Sequence, residues 1–370
     1  MRELIIDLDA IAANLNRMRQ VAPTAKICGV VKANAYGHGM IPVAKRLVTE
    51  GVDYLGVADL EEAAALRAAG IQIPILAWLH DYAEDFEAAI AGEVDLGLST
   101  VGQLQRAIES AKLLGRKARV HIKVDTGLGR NGVTLNDLPE LLALAKQATE
   151  DGTAEIVGIF SHLSCTSREA DLAQIERFEQ ALAAAASVGI EPQLRHLTAS
   201  DGTLSYPHAH YDMVRIGVAL YGLSPYSDHN SADYGLTPAM TATARVVQVK
   251  RVAAGEGVSY GYLYRTTEET SLALVPVGYA EGLPRLATGR AQVWIDGQLV
   301  SVLSRIAMDQ FVIDVGNAEV APGDTVVLFG DPARGYPSAD QLAQASDTIN
   351  YEIVTRMGGR FKRVYLGVGA

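Results

Sequence analysis

Short apolar runs rich in β-branched residues alternate with longer amphipathic stretches through the first two-thirds of the chain. The runs span residues 27–31, 54–57, 73–77, 94–98, 120–124, 156–160, 194–198 and 213–216. Their near-continuous apolar character is that of strands covered on both faces. Between them, alanine- and leucine-rich segments such as 60–69, 101–114, 138–148 and 170–186 carry apolar residues at helical spacing and are long enough for crossover helices. Eight such units predict an α/β architecture, a closed (β/α)8 TIM barrel.

Both ends of the pattern differ from this repeat. Residues 4–8 read as a short strand, and Asp9 as the N-cap of a helix running through Asn14 to about Val21. After a polar segment at 226–234 the period falls to two. Valine-rich runs at 241–249, 271–277, 292–295, 311–315 and 325–328 predict strands, with Asp296-Gly297 as one hairpin turn and Pro322-Gly323-Asp324 as another. A late helix at 339–345 follows, and residues 349–354 stay unassigned. The expected division is a barrel over residues 1–234, with residues 1–9 free to pair elsewhere, and a mostly β C-terminal domain over 235–370.

Composition narrows the function classes. With 370 residues and 49% apolar content, two sizeable cores are affordable. A net charge of -11, with no lysine or arginine run, argues against nucleic acid or an anionic membrane as partner. The two cysteines, Cys28 and Cys165, provide neither a disulfide framework nor metal-ligand spacing. The first nine residues lack a signal peptide's regions, and no apolar run reaches the roughly 18 residues of a membrane span. A soluble cytoplasmic protein is expected.

Barrels of this kind place their chemistry at the strands' C-terminal ends. There the chain carries Lys32 with Tyr36 just beyond, Lys123 leading to Arg130, Ser161-His162, His196 and Ser200, and Arg215 with Gly217. A lysine at a buried strand end can shed its charge and form a Schiff base; taken alone, it is an ordinary snorkelling side chain. Ser200 is equally explained as a helix N-cap. Together with backbone amides near Gly217 and Val218 on the loops after strands seven and eight, it would also form a phosphate site. A lysine opposite such a site points to pyridoxal 5'-phosphate.

The segments Val31-Lys32-Ala33-Asn34-Ala35-Tyr36-Gly37-His38-Gly39, Lys123 to Gly132, Phe160-Ser161-His162, Val214 to Gly217, Val258-Ser259-Tyr260-Gly261, Val277 to Ala280, Met308-Asp309-Gln310 and Ile349 to Glu352 resemble the alanine racemases in order and spread. The resemblance implies a homodimer that interconverts L- and D-alanine. Lys32 would bind the cofactor and act as one base, and Tyr260 of the partner subunit would act as the other. His162 and, through it, Arg215 would favour the tyrosine anion, while Arg215 faces the pyridine nitrogen. Arg130 would contact the substrate carboxylate, with Lys123, a carbamylated lysine in many members, orienting it. Tyr36, Ser200, Gly217, Val218 and Tyr351 would hold the phosphate. Met308 and Tyr279 of the partner subunit would narrow the pocket to a methyl side chain, and His196 and Asp309 would support the site.

Two positions depart from the family pattern: Ala199 replaces the usual asparagine before Ser200, and Ala307 a common cysteine before Met308. A broader-specificity racemase, a decarboxylase on the same plan, and a non-catalytic cofactor carrier are the alternatives. The Tyr260 motif and the β domain argue against the last two.

Overall fold

All eight apolar runs form strands. In the computed structural model, which describes residues 1–368 and so leaves the last two positions of the expected second domain outside the described residues, they make one parallel sheet. The strands are Lys26–Val30, Tyr54–Val57, Ile75–Ala77, Val94–Leu98, Ala118–Lys123, Ala154–Phe160, Leu194–His196 and Met213–Ile216. Each pairs with its sequence neighbour, and the last pairs with the first. The Asp212 N–H to Arg195 C=O bond (3.1 Å) and the Arg215 N–H to Thr198 C=O bond (3.0 Å) close the ring between the seventh and eighth strands. The expected TIM barrel is therefore present.

Crossover helices include Leu60–Ala68, Val101–Leu114, Leu138–Glu150 and Arg168–Ser187. Asp59, Thr100 and Ser167 start three of them, each side chain accepting from the backbone N–H three residues on. Cys28, Tyr54, Leu76, Val157, Leu194 and Met213 pack together inside the barrel, with Trp78 against them.

Residues 15–33 and 44–220 form one compact unit, and residues 1–14, 34–43 and 221 onward form a second. The second is mostly β. Its six-stranded sheet runs Gln298–Ser301, Gln292–Ile295, Thr325–Phe329, Met240–Arg245, Arg2–Asp7 and Lys362–Leu366. Its three-stranded sheet holds Gln248–Val252, Thr270–Val275 and Phe311–Gly316. The N-terminal strand thus lies between two strands of the second unit, with Leu4 and Ile6 fully buried.

Four sequence expectations change. The run 241–249 is two strands in different sheets: Val246 N–H reaches Asp324 C=O and Val247 N–H reaches Leu274 C=O, so the chain crosses between sheets within one peptide. Asp296-Gly297 does join a hairpin, with Ile295 opposite Gln298. Pro322-Gly323-Asp324 does not, because the strands on its two sides belong to different sheets. The first helix is Leu8–Val21, beginning two residues earlier than expected, and Asp7 rather than Asp9 caps it by accepting from the N–H groups of Asp9 and Ala10. Residues 350–356 form a helix, Asn350–Arg356. Among the described residues, no helix is long and apolar enough to cross a membrane.

Candidate active site

Lys32 follows directly on the first barrel strand, whose ladder continues through the Val31 N–H to Gly56 C=O bond. Its Nζ lies 5.9 Å from the centre of the Trp78 ring. Burial, then the charge of Arg130, lowers its pKa from the ordinary lysine value, and Glu62 offsets part of this. The desolvated lysine expected from the sequence is in place.

The segment after it is unusual. Ala33, Asn34, Ala35 and Tyr36 all have φ of 52 to 54°, a full turn of left-handed helix. Such backbone costs L-residues about 1–2 kcal/mol each. Local bonds offset that cost. The N–H of Ala33 donates to Glu62 Oε1 (2.6 Å), that of His38 to Ala35 C=O (2.9 Å) and that of Gly39 to Asn34 C=O (2.9 Å). His38 Nδ1 lies 3.1 and 3.0 Å from the carbonyls of Ala35 and Tyr36, which makes it a donor. The half-buried Tyr36 ring stacks on Tyr221 at 4.9 Å and lies 6.2 Å from Tyr351.

Around the barrel mouth the sequence-selected residues gather in one place. Lys123 Nζ donates to Asn131 Oδ1 (2.5 Å); burial and then the charges of Arg215, Arg130 and Lys32 pull its pKa down to about 7. Arg215 is 5% exposed. Its guanidinium donates to His196 Nδ1 (3.0 Å), Ser161 C=O (2.7 Å), Leu197 C=O (2.9 Å) and His162 Nδ1 (3.2 Å). Burial draws it to about 10, so it stays charged at neutral pH. His162 and His196 are held well below the ordinary histidine value by burial and by that same arginine, and are therefore neutral. Among the described residues, the Arg130 guanidinium has no hydrogen-bond or ion-pair partner.

Ser200 is not a helix cap. The cap position of the short helix Ser200–Ser205 is Ala199, and Ser200 Oγ instead accepts the N–H groups of Gly217 (3.1 Å) and Ala219 (3.3 Å). Ser200 Oγ thus ties together the two amides that flank Val218.

The remaining candidates belong to the second unit. Tyr260 is 70% exposed on a turn where Ser259, Gly261 and Tyr262 all have positive φ. Tyr279 and Met308 are exposed as well, and their segments are tied by the Tyr279 N–H to Ala307 C=O bond (3.2 Å) and the Ala280 N–H to Met308 C=O bond (2.9 Å). Arg360 bridges Asp309 (2.6 Å) to the buried Glu281 carboxylate. Glu281 and Arg360 were not among the sequence candidates; the available signal was an acidic residue two positions after Tyr279.

The mouth therefore presents four basic side chains, two neutral imidazoles, one lysine that loses its proton readily, and two N–H groups converging on a hydroxyl. That set fits pyridoxal 5'-phosphate, which needs an amine for its aldehyde and cations and donors for its phosphate. Sequence models of the families described as "Alanine racemase, N-terminal domain" and "Alanine racemase, C-terminal domain" match residues 6–225 and 239–365. The chain belongs to the alanine racemase family. Members of that family are pyridoxal-phosphate-dependent isomerases of L- and D-alanine, and the fold and cofactor expected from the sequence are those of the family. Alanine racemase of Thermobifida fusca is 46% identical over 368 residues, covering 99% of this chain and 98% of that one. Alanine racemase of Frankia casuarinae is 47% identical over 366 residues, covering 98% and 95%. The crystal structure of an alanine racemase from a D-cycloserine-producing Streptomyces lavendulae superposes with a TM-score of 0.97 at 45% identity, covering 99% and 97%.

Proposed function

We propose that this chain interconverts L- and D-alanine with two bases, Lys32 of one subunit and Tyr260 of the partner subunit. The supporting observation is the amine of Lys32, buried among cations at the mouth of the barrel. Bound pyridoxal phosphate supplies an electron-withdrawing ring that accommodates the charge left when the substrate Cα loses its proton. Lys32 Nζ carries a proton on one face of Cα and the Tyr260 hydroxyl on the other, which is what inversion requires. His162 accepts from Arg215 at Nδ1, so its proton sits on Nε2, where it can donate to the tyrosine oxygen and favour the anion.

Arg215, which keeps its own protons, would face the cofactor's ring nitrogen as a donor and leave that nitrogen unprotonated. Arg130, without a partner among the described residues, would take the substrate carboxylate. Ser200 and the amides of Gly217 and Val218 would hold the phosphate, and Tyr36 and Tyr351 are the further candidates for it. Tyr279 and Met308 of the partner subunit, beside an Asp309 held by Arg360, would narrow the pocket to a methyl side chain.

The exposed Tyr260, Tyr279 and Met308 support a homodimer in which each site takes residues from both chains. A cytoplasmic setting belongs to the same reading, since Cys28 and Cys165 are both unpaired. Incubation of the holoenzyme with L-alanine in deuterated water should yield D-alanine deuterated at Cα. Absence of both products refutes the activity. Tyr260→Phe should lower the rate in both directions by about 10²- to 10⁴-fold and retain bound cofactor. Mixed Lys32→Ala and Tyr260→Phe chains should recover activity in hybrid dimers; inactivity after verified subunit exchange refutes the shared site.

A further inference from the structure

Arg215 is one end of a hydrogen-bond chain that runs through the barrel interior away from the mouth. His196 Nε2 lies 2.9 Å from His121 Nδ1, and His121 Nε2 lies 3.2 Å from Asp95 Oδ2. His121, His196 and Asp95 are all fully buried. Asp95 also accepts from Arg119, from Nε at Oδ1 (2.6 Å) and from Nη2 at Oδ2 (3.3 Å), and from the Tyr54 hydroxyl at Oδ2 (3.1 Å). Strand-end reasoning passes over Asp95 and His121 because both lie mid-strand.

The order of protons along this chain is forced. Arginine only donates, so His196 Nδ1, which faces Arg215 Nη1, is bare. The neutral His196 then carries its proton on Nε2 and gives it to a bare His121 Nδ1. That leaves the His121 proton on Nε2, pointing at the carboxylate. Every bond runs one way, from arginine to aspartate. The barrel is shaped around the two rings: a Cβ at Gly158 would lie 2.2 Å from His121 Nδ1, and Phe160 stacks on His196 at 4.7 Å with only 5° between the planes.

We propose that Asp95 and His121 are positioning residues for racemisation, locking His196 with a bare Nδ1 toward Arg215 and so fixing the guanidinium from the far side of the barrel. This rests on the assignment of Arg215 to the cofactor ring. Burial alone would push the Asp95 carboxyl up, and the bonds from His121 and Arg119 hold it low instead, so the acceptor stays ionised. The carboxylate polarises both imidazoles toward the arginine.

Asp95→Asn tests the lock. The shorter of the two Arg119 bonds, from Nε, retains the one remaining oxygen, which puts the amide nitrogen where Oδ2 accepted from His121. The amide then donates to His121 Nε2, both tautomers reverse, and a His196 Nδ1–H confronts Arg215 Nη1. In two-bond ¹H–¹⁵N spectra of the wild-type holoenzyme, both histidines should carry the proton on Nε2 and leave Nδ1 bare. In Asp95→Asn both should reverse, the visible band of bound cofactor should shift, and kcat should fall on the order of ten- to a hundredfold, the loss of a hydrogen bond to a charged group. Tyr54→Phe removes a donor to Asp95 without altering the order and should leave tautomers and kcat unchanged.

A protonated Nδ1 on either wild-type histidine overturns the proposal, and this measurement stands even if Asp95→Asn does not fold. Reversal with kcat and the cofactor band unchanged also overturns it, as does lost kcat without reversal. If the tautomers behave as expected but wild-type enzyme does not racemise alanine, the assigned activity fails and the chain order does not.

Discussion

Lys123 offers the sharpest quantitative test of the site's electrostatics. Its pKa falls from the ordinary 10.5 to about 7, through burial first and then three neighbouring cations. At pH 7 half of the amine is free, about a thousandfold more than for an ordinary lysine. A free amine adds carbon dioxide to give a carbamate, and the resulting anion would sit among Arg130, Arg215 and Lys32. Without carbon dioxide, the native state penalises the charged amine by about 4–5 kcal/mol, in proportion to that displacement.

The sign follows from proton counting. Below pH 7 the amine is charged in both folded and unfolded chains and the native state bears the whole penalty; above 10.5 it is neutral in both and the penalty vanishes. Stability therefore rises with pH across that window. Between pH 7 and 9 the rise amounts to about 2 kcal/mol, once the half-deprotonation at pH 7 is counted. The assay is denaturant unfolding at both pH values in carbon-dioxide-free buffer, for wild type and Lys123→Met. The difference between the two proteins should grow by that amount, and bicarbonate should flatten it as the carbamate removes the titration. Identical pH dependence of the two proteins would refute the reasoning, and ¹³C-bicarbonate giving no carbamate resonance would refute the modification.

Two further outcomes test the frame of the site. In the left-handed turn, Ala33→Gly should leave stability unchanged or raise it by up to about 1 kcal/mol, whereas Ala33→Val should cost about 2 kcal/mol, measured by denaturant unfolding; the opposite order would show that the turn is not left-handed in solution. Gly158→Ala should cost about 3 kcal/mol by overpacking against His121, and Gly158→Ala with His121→Ala should recover part of that loss; strictly additive effects would show that the two do not touch.

How far these features can be read from sequence depends on whether their cause is local. The helix Val101–Leu114 falls where the pattern puts it because both its ends are written locally: Thr100 caps it through Gln103 N–H, and Gly115 closes it at φ 61°. The run 241–249 misleads because its residues are β-formers on both sides of the crossing, so the side-chain pattern is blind to a change of partner between Val246 and Val247. Only long-range pairing determines that crossing.

The left-handed turn shows the same limit at the site itself. Asn34 tolerates that backbone, but nothing about Ala33, Ala35 or Tyr36 favours it; Glu62 and His38, held by their own neighbours, impose it. Lys32 could be picked out because its chemistry is its own, and His162, Arg215 and Ser200 because strand ends form a short list of places to look. Asp95 and His121 escape that list, yet each interrupts an apolar strand with an ionisable group, and burial there requires a partner. An ionisable residue in the middle of a doubly covered strand therefore predicts a buried polar chain. In a barrel, where alternate side chains of every strand point inward, such a chain has the mouth as one of its two possible exits.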